Sequence, residues 1–422
     1  MKLLMYSHDT YGLGNIRRML AIATYLSESD DGLSILLVSG SPMLHAFRIP
    51  AQIDYVKLPC LARTESGEYV SPYLDLDFDQ VIRLRSNLIL STVLDFQPDM
   101  LLVDKKPLGL GGELAPALRI LDRRIDRPRK ILLLRDILDS PEVTRAIWQK
   151  NAYFDVLASS YEAILVVGER EIFDVAAEYD FPPAIASKTE YCGYLERPPG
   201  RRNHAEIRRE LGIGDEQLVL VTAGGGADGC NLLTHYLQGL CHAGDSNNFH
   251  SLVLTGSEMS APECRFIKKL AAACPNVHLQ EFTDDIMSYM SAAEVVVSMG
   301  GYNTVCELLT LKKCAIIVPR TTPVMEQCIR AERLAERRLV TTIHPNELTP
   351  AVLFKAVTDR LRCRDAEKNR MYQIEMNGLE NIRNNLLRLV ALSPRKINAH
   401  AGSPQYSQTE LTPLRDLAVP NR

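Results

Sequence analysis

The sequence predicts an α/β protein of two doubly wound parallel sheets, on three observations. Short, apolar, β-branched runs alternate with amphipathic runs along nearly the whole chain. The strand-like runs fall into two sets of about six, which suits two Rossmann-like domains. Each set opens with a strand, a glycine-rich turn and a helical stretch. At 422 residues the chain is also long for a single core.

In the first half the strand candidates are Leu3–Tyr6, Ser34–Val38, Ile53–Lys57, Met100–Val103, Ile131–Leu134 and Ala163–Val167. In the second half they are Leu218–Thr222, Ser251–Leu254, Val277–Leu279, Val295–Ser298, Ala315–Val318 and Leu339–Thr342. Each is short and bounded by turn residues or by an amphipathic run. The stretch from Glu196 to Asn203, with Pro198-Pro199-Gly200 and several charges, reads as a linker. The predicted organisation is a first domain over 1–197 and a second over 204–378. A long helical pattern runs from Asp365 to Leu392, and 393–422 lacks periodicity and reads as a disordered tail.

Composition excludes several classes. Hydrophobic residues at 46% and charged residues at 24% are ordinary for a globular protein. A net charge of −4 offers no general attraction to nucleic acid. The ten cysteines form no CxxC pair and no zinc spacing, so no metal site is expected and the cysteines read as small core thiols. Met1-Lys2 leads straight into a strand pattern rather than a signal peptide, and no apolar run approaches the length of a membrane span. These features point to a reducing, cytoplasmic setting.

Val295-Val-Val-Ser-Met-Gly-Gly-Tyr-Asn-Thr-Val-Cys-Glu-Leu-Leu309 carries the most chemical information. Gly300 and Gly301 let the backbone turn sharply and approach a ligand. The following helix presents free N–H groups and a positive dipole end. Glu307, about one and a half turns in, can reach the hydroxyls of a ribose while a phosphate sits at the helix start. The plainer alternative is a tight turn with a solvated glutamate. A second such turn, Ala223-Gly-Gly-Gly-Ala-Asp-Gly229 after Leu218–Thr222, favours the nucleotide reading. Gly224, Gly225 and Gly226 contribute no core side chain, but their N–H groups can cradle a diphosphate.

The first half opens on Leu3-Leu-Met-Tyr-Ser-His-Asp-Thr-Tyr-Gly-Leu-Gly-Asn15, again strand into glycine turn. Ligands of open α/β sheets bind beyond the carboxyl ends of strands. There the first half places His8 and Asp9, then Asp104 and Lys105, then Arg135 and Asp136. Acids, bases and cations on one rim form a site-like constellation, although Asp136 alone could be a helix cap.

Three competing motifs fail. Gly224, Gly226 and Gly229 satisfy GxGxxG, but the next strand ends in Thr255-Gly256 rather than the acid a dinucleotide ribose needs. Asp75-Leu-Asp-Phe-Asp79 resembles a metal-binding DxD, but it precedes a helix rather than ending a strand. The basic run Arg123 to Lys130 reads as a solvated turn, with contact to anionic lipid as the alternative.

With these residues in hand, the chain resembles the GT-B glycosyltransferases of family 28. Gly224-Gly-Gly-Ala-Asp-Gly229 looks like that family's second glycine loop. Phe282-Thr-Asp-Asp-Ile286 looks like the segment that holds the uracil. Gly300 to Glu307, with Gly301, Asn303 and Thr304, looks like the phosphate-and-ribose element, and Pro319 to Gln327, with Glu326 and Gln327, like the donor-sugar loop. More loosely, Gly12-Leu-Gly14-Asn15 sits where the family has a glycine loop ending in His; Asn15 replaces that His. The resemblance implies a GT-B fold, with Asp9, Gly12, Gly14, Asn15 and Arg135 on the acceptor side. It also implies a helix over 379–392 returning to the first domain. It implies transfer of a hexose or N-acetylhexosamine from a UDP-sugar to an acceptor hydroxyl, with inversion and without a metal or other cofactor. His8 is the first choice of general base, followed by Asp104 and Asp136. The acceptor is left open among a lipid-linked species, a glycan and a small metabolite, as is peripheral contact with the cytoplasmic membrane face. A non-hydrolysing UDP-sugar epimerase and a catalytically degenerate nucleotide-sugar-binding subunit remain the alternatives.

Overall fold

Two parallel sheets organise the computed structural model, which describes residues 1–8, 14–47, 49–64, 68–244, 248–362 and 374–391. The first sheet contains β1 (Lys2–Ser7), β2 (Ser34–Ser39), β3 (Ile53–Lys57), β6 (Met100–Asp104), β7 (Arg129–Arg135), β8 (Ala163–Val167) and β9 (Thr189–Tyr191). Its order is β3-β2-β1-β6-β7-β8-β9. The second contains β10 (Leu218–Thr222), β11 (His250–Leu254), β12 (Val277–Gln280), β13 (Val295–Ser298), β14 (Cys314–Ile317) and β15 (Thr341–Thr342). Its order is β12-β11-β10-β13-β14-β15. In both, the chain starts near the middle and reverses direction of growth, which opens a crevice at the carboxyl edge beside the first strand.

Each predicted strand is present, with ends shifted by a residue or two. Three further strands are short. β9 lies on the sheet edge and is too brief to show a pattern; β4 (Ala62–Arg63) and β5 (Tyr69–Val70) form a separate antiparallel pair. Helix starts follow local chemistry. Asp77 with Gln80, Asn203 with Glu206 and Ser260 with Glu263 each form a reciprocal capping box. Asp77 therefore begins the helix Phe78–Phe96, the role expected for the acidic run around it.

Apolar packing joins the halves. One buried cluster runs from Leu3, Met5 and Leu102 of the first sheet through Tyr194 and Leu195 to Leu220 and Val296 of the second. The helix Gly378–Ala391 adds Ile382, Leu386 and Leu389 to it and packs on the helix Gly14–Ser29 of the first half.

Two sequence expectations need correction, and a third gains detail. The helix pattern over Asp365–Leu392 is not continuous: Met376 and Asn377 are non-helical and the helix starts at Gly378. The backbone there pairs with the first crossing instead. Tyr194 N–H donates to Glu375 at 3.0 Å and Gly378 N–H to Tyr194 at 3.0 Å. The segment Glu196–Asn203, read as a linker, is mostly exposed but is also fastened to the second half. Gly200 lies so close to Ser288 that a Cβ would stand 2.4 Å from its backbone nitrogen, and Arg201 and Arg202 pair with Asp284 and Asp285. Cys241 and Cys274 form a disulfide across 5.4 Å between Cα atoms, where sequence spacing suggested thiols. Residues Asp9, Gly12 and 393–422 lie outside the described residues.

If the returning helix is held by its buried stripe, Ile382→Ala should destabilise the protein by about 2–5 kcal/mol in urea unfolding. Arg388→Ala removes only an exposed pair with Glu190 and should cost less than about 1 kcal/mol.

Candidate functional site

The donor-side turns sit at the carboxyl edge of the second sheet. Gly226 has φ +97, and a Cβ would stand 2.2 Å from the Thr255 carbonyl, so only glycine fits. Gly224 is also left-handed, and the Gly225 carbonyl accepts from Glu258 N–H at 2.7 Å. The turn is thereby fastened to the loop after β11. Gly300, with φ +79 and Ile317 2.7 Å from a notional Cβ, makes the turn into the helix Tyr302–Leu311. Gly301 is its N-cap and offers no side-chain cap, so N–H groups of the first turn face the crevice.

Glu307 is 2% exposed and bonds across the domains to Arg17 at 2.6 Å. Asn303 also faces the first half: it donates to the Gly14 carbonyl at 3.0 Å and accepts from Arg197. Thr304 is half-buried one residue further on. Phe282 stands after β12 with its ring largely exposed, and its carbonyl accepts from Gln280 at 2.8 Å. A base lying there would meet the ring as well as the backbone.

The helix Glu326–Glu336 lies along the first half. Glu326, Arg330, Arg333 and Arg337 recur at helical spacing on one face. They meet Arg135 at 2.5 Å, Asp136 at 2.7 Å, Glu178 at 2.7 Å and Glu171 at 3.8 Å respectively. Burial alone would raise the Glu326 carboxyl, but Arg135, Arg330 and Arg320 hold it down at about 2. A sugar hydroxyl at Glu326 would compete with those arginines. The Gln327 side-chain oxygen accepts from Arg320 N–H at 3.3 Å.

On the acceptor side, β1, β6 and β7 are neighbours, so His8, Asp104 and Asp136 share one rim. Asp104 is fully buried and bonded to Arg18 at 2.6 Å. Asp136 takes both arms of Arg330 at 2.7 Å. Both carboxylates are therefore engaged by arginines in this arrangement. His8 is buried, and Asn15 donates to its carbonyl while accepting from Arg18 at 3.1 Å. Burial, and then the charges of Lys105, Lys106, Arg85 and Arg135, hold the His8 imidazole well below its ordinary value.

Sequence reading missed Arg197, Arg320 and Arg330. Arg197 is buried beside the start of the helix Tyr302–Leu311, and no ion pair holds it among the described residues. Arg320 bonds Asp228 of the glycine turn at 2.9 Å. Position after a strand end could have flagged Arg320; nothing local distinguishes the other two. Buried polar atoms without a protein partner gather at these facing edges: Ser7 Oγ, His8 Nδ1, Arg135 Nε, Thr255 Oγ1, Ser298 Oγ and Arg320 Nε. Such atoms are uncommon in native proteins, where water, an ion or a ligand often supplies the partner.

Two facing Rossmann-like domains with a polar crevice at their carboxyl edges define the GT-B class, and comparison agrees. CalG4, the calicheamicin glycosyltransferase, superposes with a TM-score of 0.61 at 16% identity, over 93% of this chain and 99% of that one. MurG of Acinetobacter baumannii gives 0.57 at 15% identity, over 92% and 99%. Residues 218–386 match the glycosyltransferase family 28 C-terminal domain. The chain is 26% identical over 183 residues to an uncharacterized glycosyltransferase of Methanopyrus kandleri, covering 42% of this chain and about half of that relative (48%). It is 24% identical over 375 residues to the UDP-N-acetylglucosamine–N-acetylmuramyl-(pentapeptide) pyrophosphoryl-undecaprenol N-acetylglucosamine transferase of Acetivibrio thermocellus, covering 86% and 90%. Residues 218–386 thus carry a glycosyltransferase family 28 C-terminal domain, and the whole chain is similar to GT-B glycosyltransferases of that kind.

Because Asp136 is buried, Arg330→Met should leave an uncompensated charge and cost about 3–5 kcal/mol in chemical unfolding. Arg330→Met combined with Asp136→Asn should recover much of that loss.

Proposed function

We propose that the protein moves a hexose or N-acetylhexosamine from a UDP-sugar to an acceptor hydroxyl, with inversion and without a divalent metal. The observation that carries this reading is the convergence of unpartnered buried polar atoms with two glycine turns and a helix start at one crevice. The turn at Gly224–Gly226 and the start of the helix at Gly301 present N–H groups to the diphosphate. Arg197 and Arg320 add positive charge beside them. Together they would stabilise charge on the leaving diphosphate, the task a metal performs elsewhere. Glu307 holds the ribose once Arg17 gives way, and Phe282 lies along the base. Asn303 and Thr304 complete the helix start, and Gln327 meets the sugar. The acceptor enters over Gly14, Asn15 and Arg135, and a basic group on the rim of β1, β6 and β7 takes its proton.

The relative in Acetivibrio supports a lipid-linked acceptor by its name. Among the described residues no helix is long and apolar enough to cross a membrane, so such an acceptor would be met at the membrane face. An epimerase of the same fold would release UDP without an acceptor. Acceptor-dependent release separates the two.

Calorimetry tests the donor assignment. UDP should bind equally well in EDTA and in magnesium. Glu307→Ala should weaken UDP by about 1.5–3 kcal/mol, the worth of hydrogen bonds to a charged group. Unchanged affinity in that variant would remove Glu307 from the ribose site.

A further inference from the structure

We propose that Lys105 is the group that deprotonates the acceptor, an inference that rests on the transferase reading above. Lys105 follows β6 directly, between the strand ends that carry His8 and Arg135. Its backbone is left-handed, with φ +68, a conformation uncommon for a residue with a side chain and concentrated at functional sites. The distortion is held in place. Lys105 N–H donates to the Leu133 carbonyl at 2.9 Å. Further along the loop, Leu110 N–H donates to Tyr6 Oη at 3.2 Å. Tyr6 and Arg85 both bond Glu113, at 2.5 Å each, and anchor the end of the loop.

Lys105 is half-buried, and its amine makes no hydrogen bond or ion pair among the described residues. Among the described residues, the charged groups that face it are Asp104, Glu326, Arg135 and Lys106. Asp104 precedes it but is held by Arg18 at 2.6 Å. Glu326 approaches from the second half but is held by Arg135 at 2.5 Å. Arg135 and Lys106 add positive charge, and His8 stands on the neighbouring strand end. Burial, then Arg135 and Lys106 against the weaker pull of Glu326 and Asp104, push the amine down to about 7. A lone pair is thus available near neutral pH, at the seam between the acceptor rim and the loop that leads to Gln327. The other rim groups are worse placed. Asp104 and Asp136 are each paired with an arginine, and the His8 imidazole is held well below its ordinary value, first by burial.

The step balances. The Lys105 nitrogen takes the hydroxyl proton as the acceptor oxygen bonds to the anomeric carbon. The bond from that carbon to the diphosphate oxygen breaks, and its electron pair leaves with UDP. The ammonium then returns its proton to water.

The test uses the full chain with UDP-glucose and UDP-N-acetylglucosamine, following UDP release between about pH 5.5 and 9.5 with a panel of alcohol acceptors and with water. Wild-type turnover should rise with pH and level off above about 7, because the protonated amine is inactive. Lys105→Ala should lower kcat by about 10²–10⁴-fold and lose the inflection, while UDP affinity and melting temperature stay near wild type. Added methylamine should restore part of the rate, which a structural role would not allow. Lys105→Arg should stay slow, since a guanidinium does not give up its proton. His8→Ala should keep the inflection. A Lys105→Ala protein with wild-type kcat and pH profile, or an inflection lost only in His8→Ala, overturns this inference alone. A wild-type chain that neither binds UDP nor turns over either donor overturns the transferase reading, and this inference with it.

Discussion

The buried pair between Asp136 and Arg330 is the contact on which the relation of the two halves depends. Asp136 directly follows β7 of the first sheet; Arg330 belongs to a helix of the second half. Both are almost wholly buried, and the guanidinium meets the carboxylate through two bonds of 2.7 Å. Desolvation offsets much of the attraction in such a pair, so its value lies less in net stability than in geometry. A bidentate fork tolerates little rotation or slip. It therefore fixes how the helix Glu326–Glu336 lies on the first domain, and with it the distance between the donor turns and the acceptor rim. Tyr302, first residue of the donor helix, lies between the guanidiniums of Arg18 and Arg330, 5.6 and 5.8 Å from its ring centre. The same lock thus reaches the start of the donor helix.

This arrangement explains why so few groups at the rim are free. The acids there are spent on holding the halves together or fastening loops: Asp104 on Arg18, Asp136 on Arg330, Glu326 on Arg135 and Glu113 on Arg85. What remains is an excess of cationic and neutral groups facing the crevice. An anionic donor suits that balance. Two acids stand apart: Glu307, nearly buried and capped only by the half-exposed Arg17, and Glu258, half-buried against Gly225 of the glycine turn. A partner that can swing toward solvent is easily displaced by hydroxyls, whereas Arg330 is not.

Much of this was legible in the sequence, for identifiable reasons. Parallel strands buried on both faces are uniformly apolar, so Leu218–Thr222 and Val295–Ser298 announced themselves, and glycines with forced geometry marked Gly226 and Gly300. The family resemblance of the second half was readable because its motif segments are contiguous. The interface was not, because its partners lie far apart in the chain: Arg330 and Asp136 are separated by 194 residues, Arg333 and Glu178 by 155. Helical spacing from Glu326 to Arg337 shows a charged stripe, but only the fold says what it faces. For the same reason Asp104 and Asp136 read as free bases from sequence, and Lys105 read as one more charge on the rim. Its left-handed backbone and half-buried, unpaired amine are properties of the folded loop.

The central claim is that the crevice between the two carboxyl edges is a nucleotide-diphosphate site assembled from both halves. The most direct measurement is a crystal structure of the full chain with UDP. The account predicts the diphosphate against Gly224–Gly226 and the start of the helix at Gly301, the ribose on Glu307, and Arg17 moved off that carboxylate. UDP bound elsewhere, or a crevice in which Arg17 still holds Glu307 at saturating UDP, would contradict it.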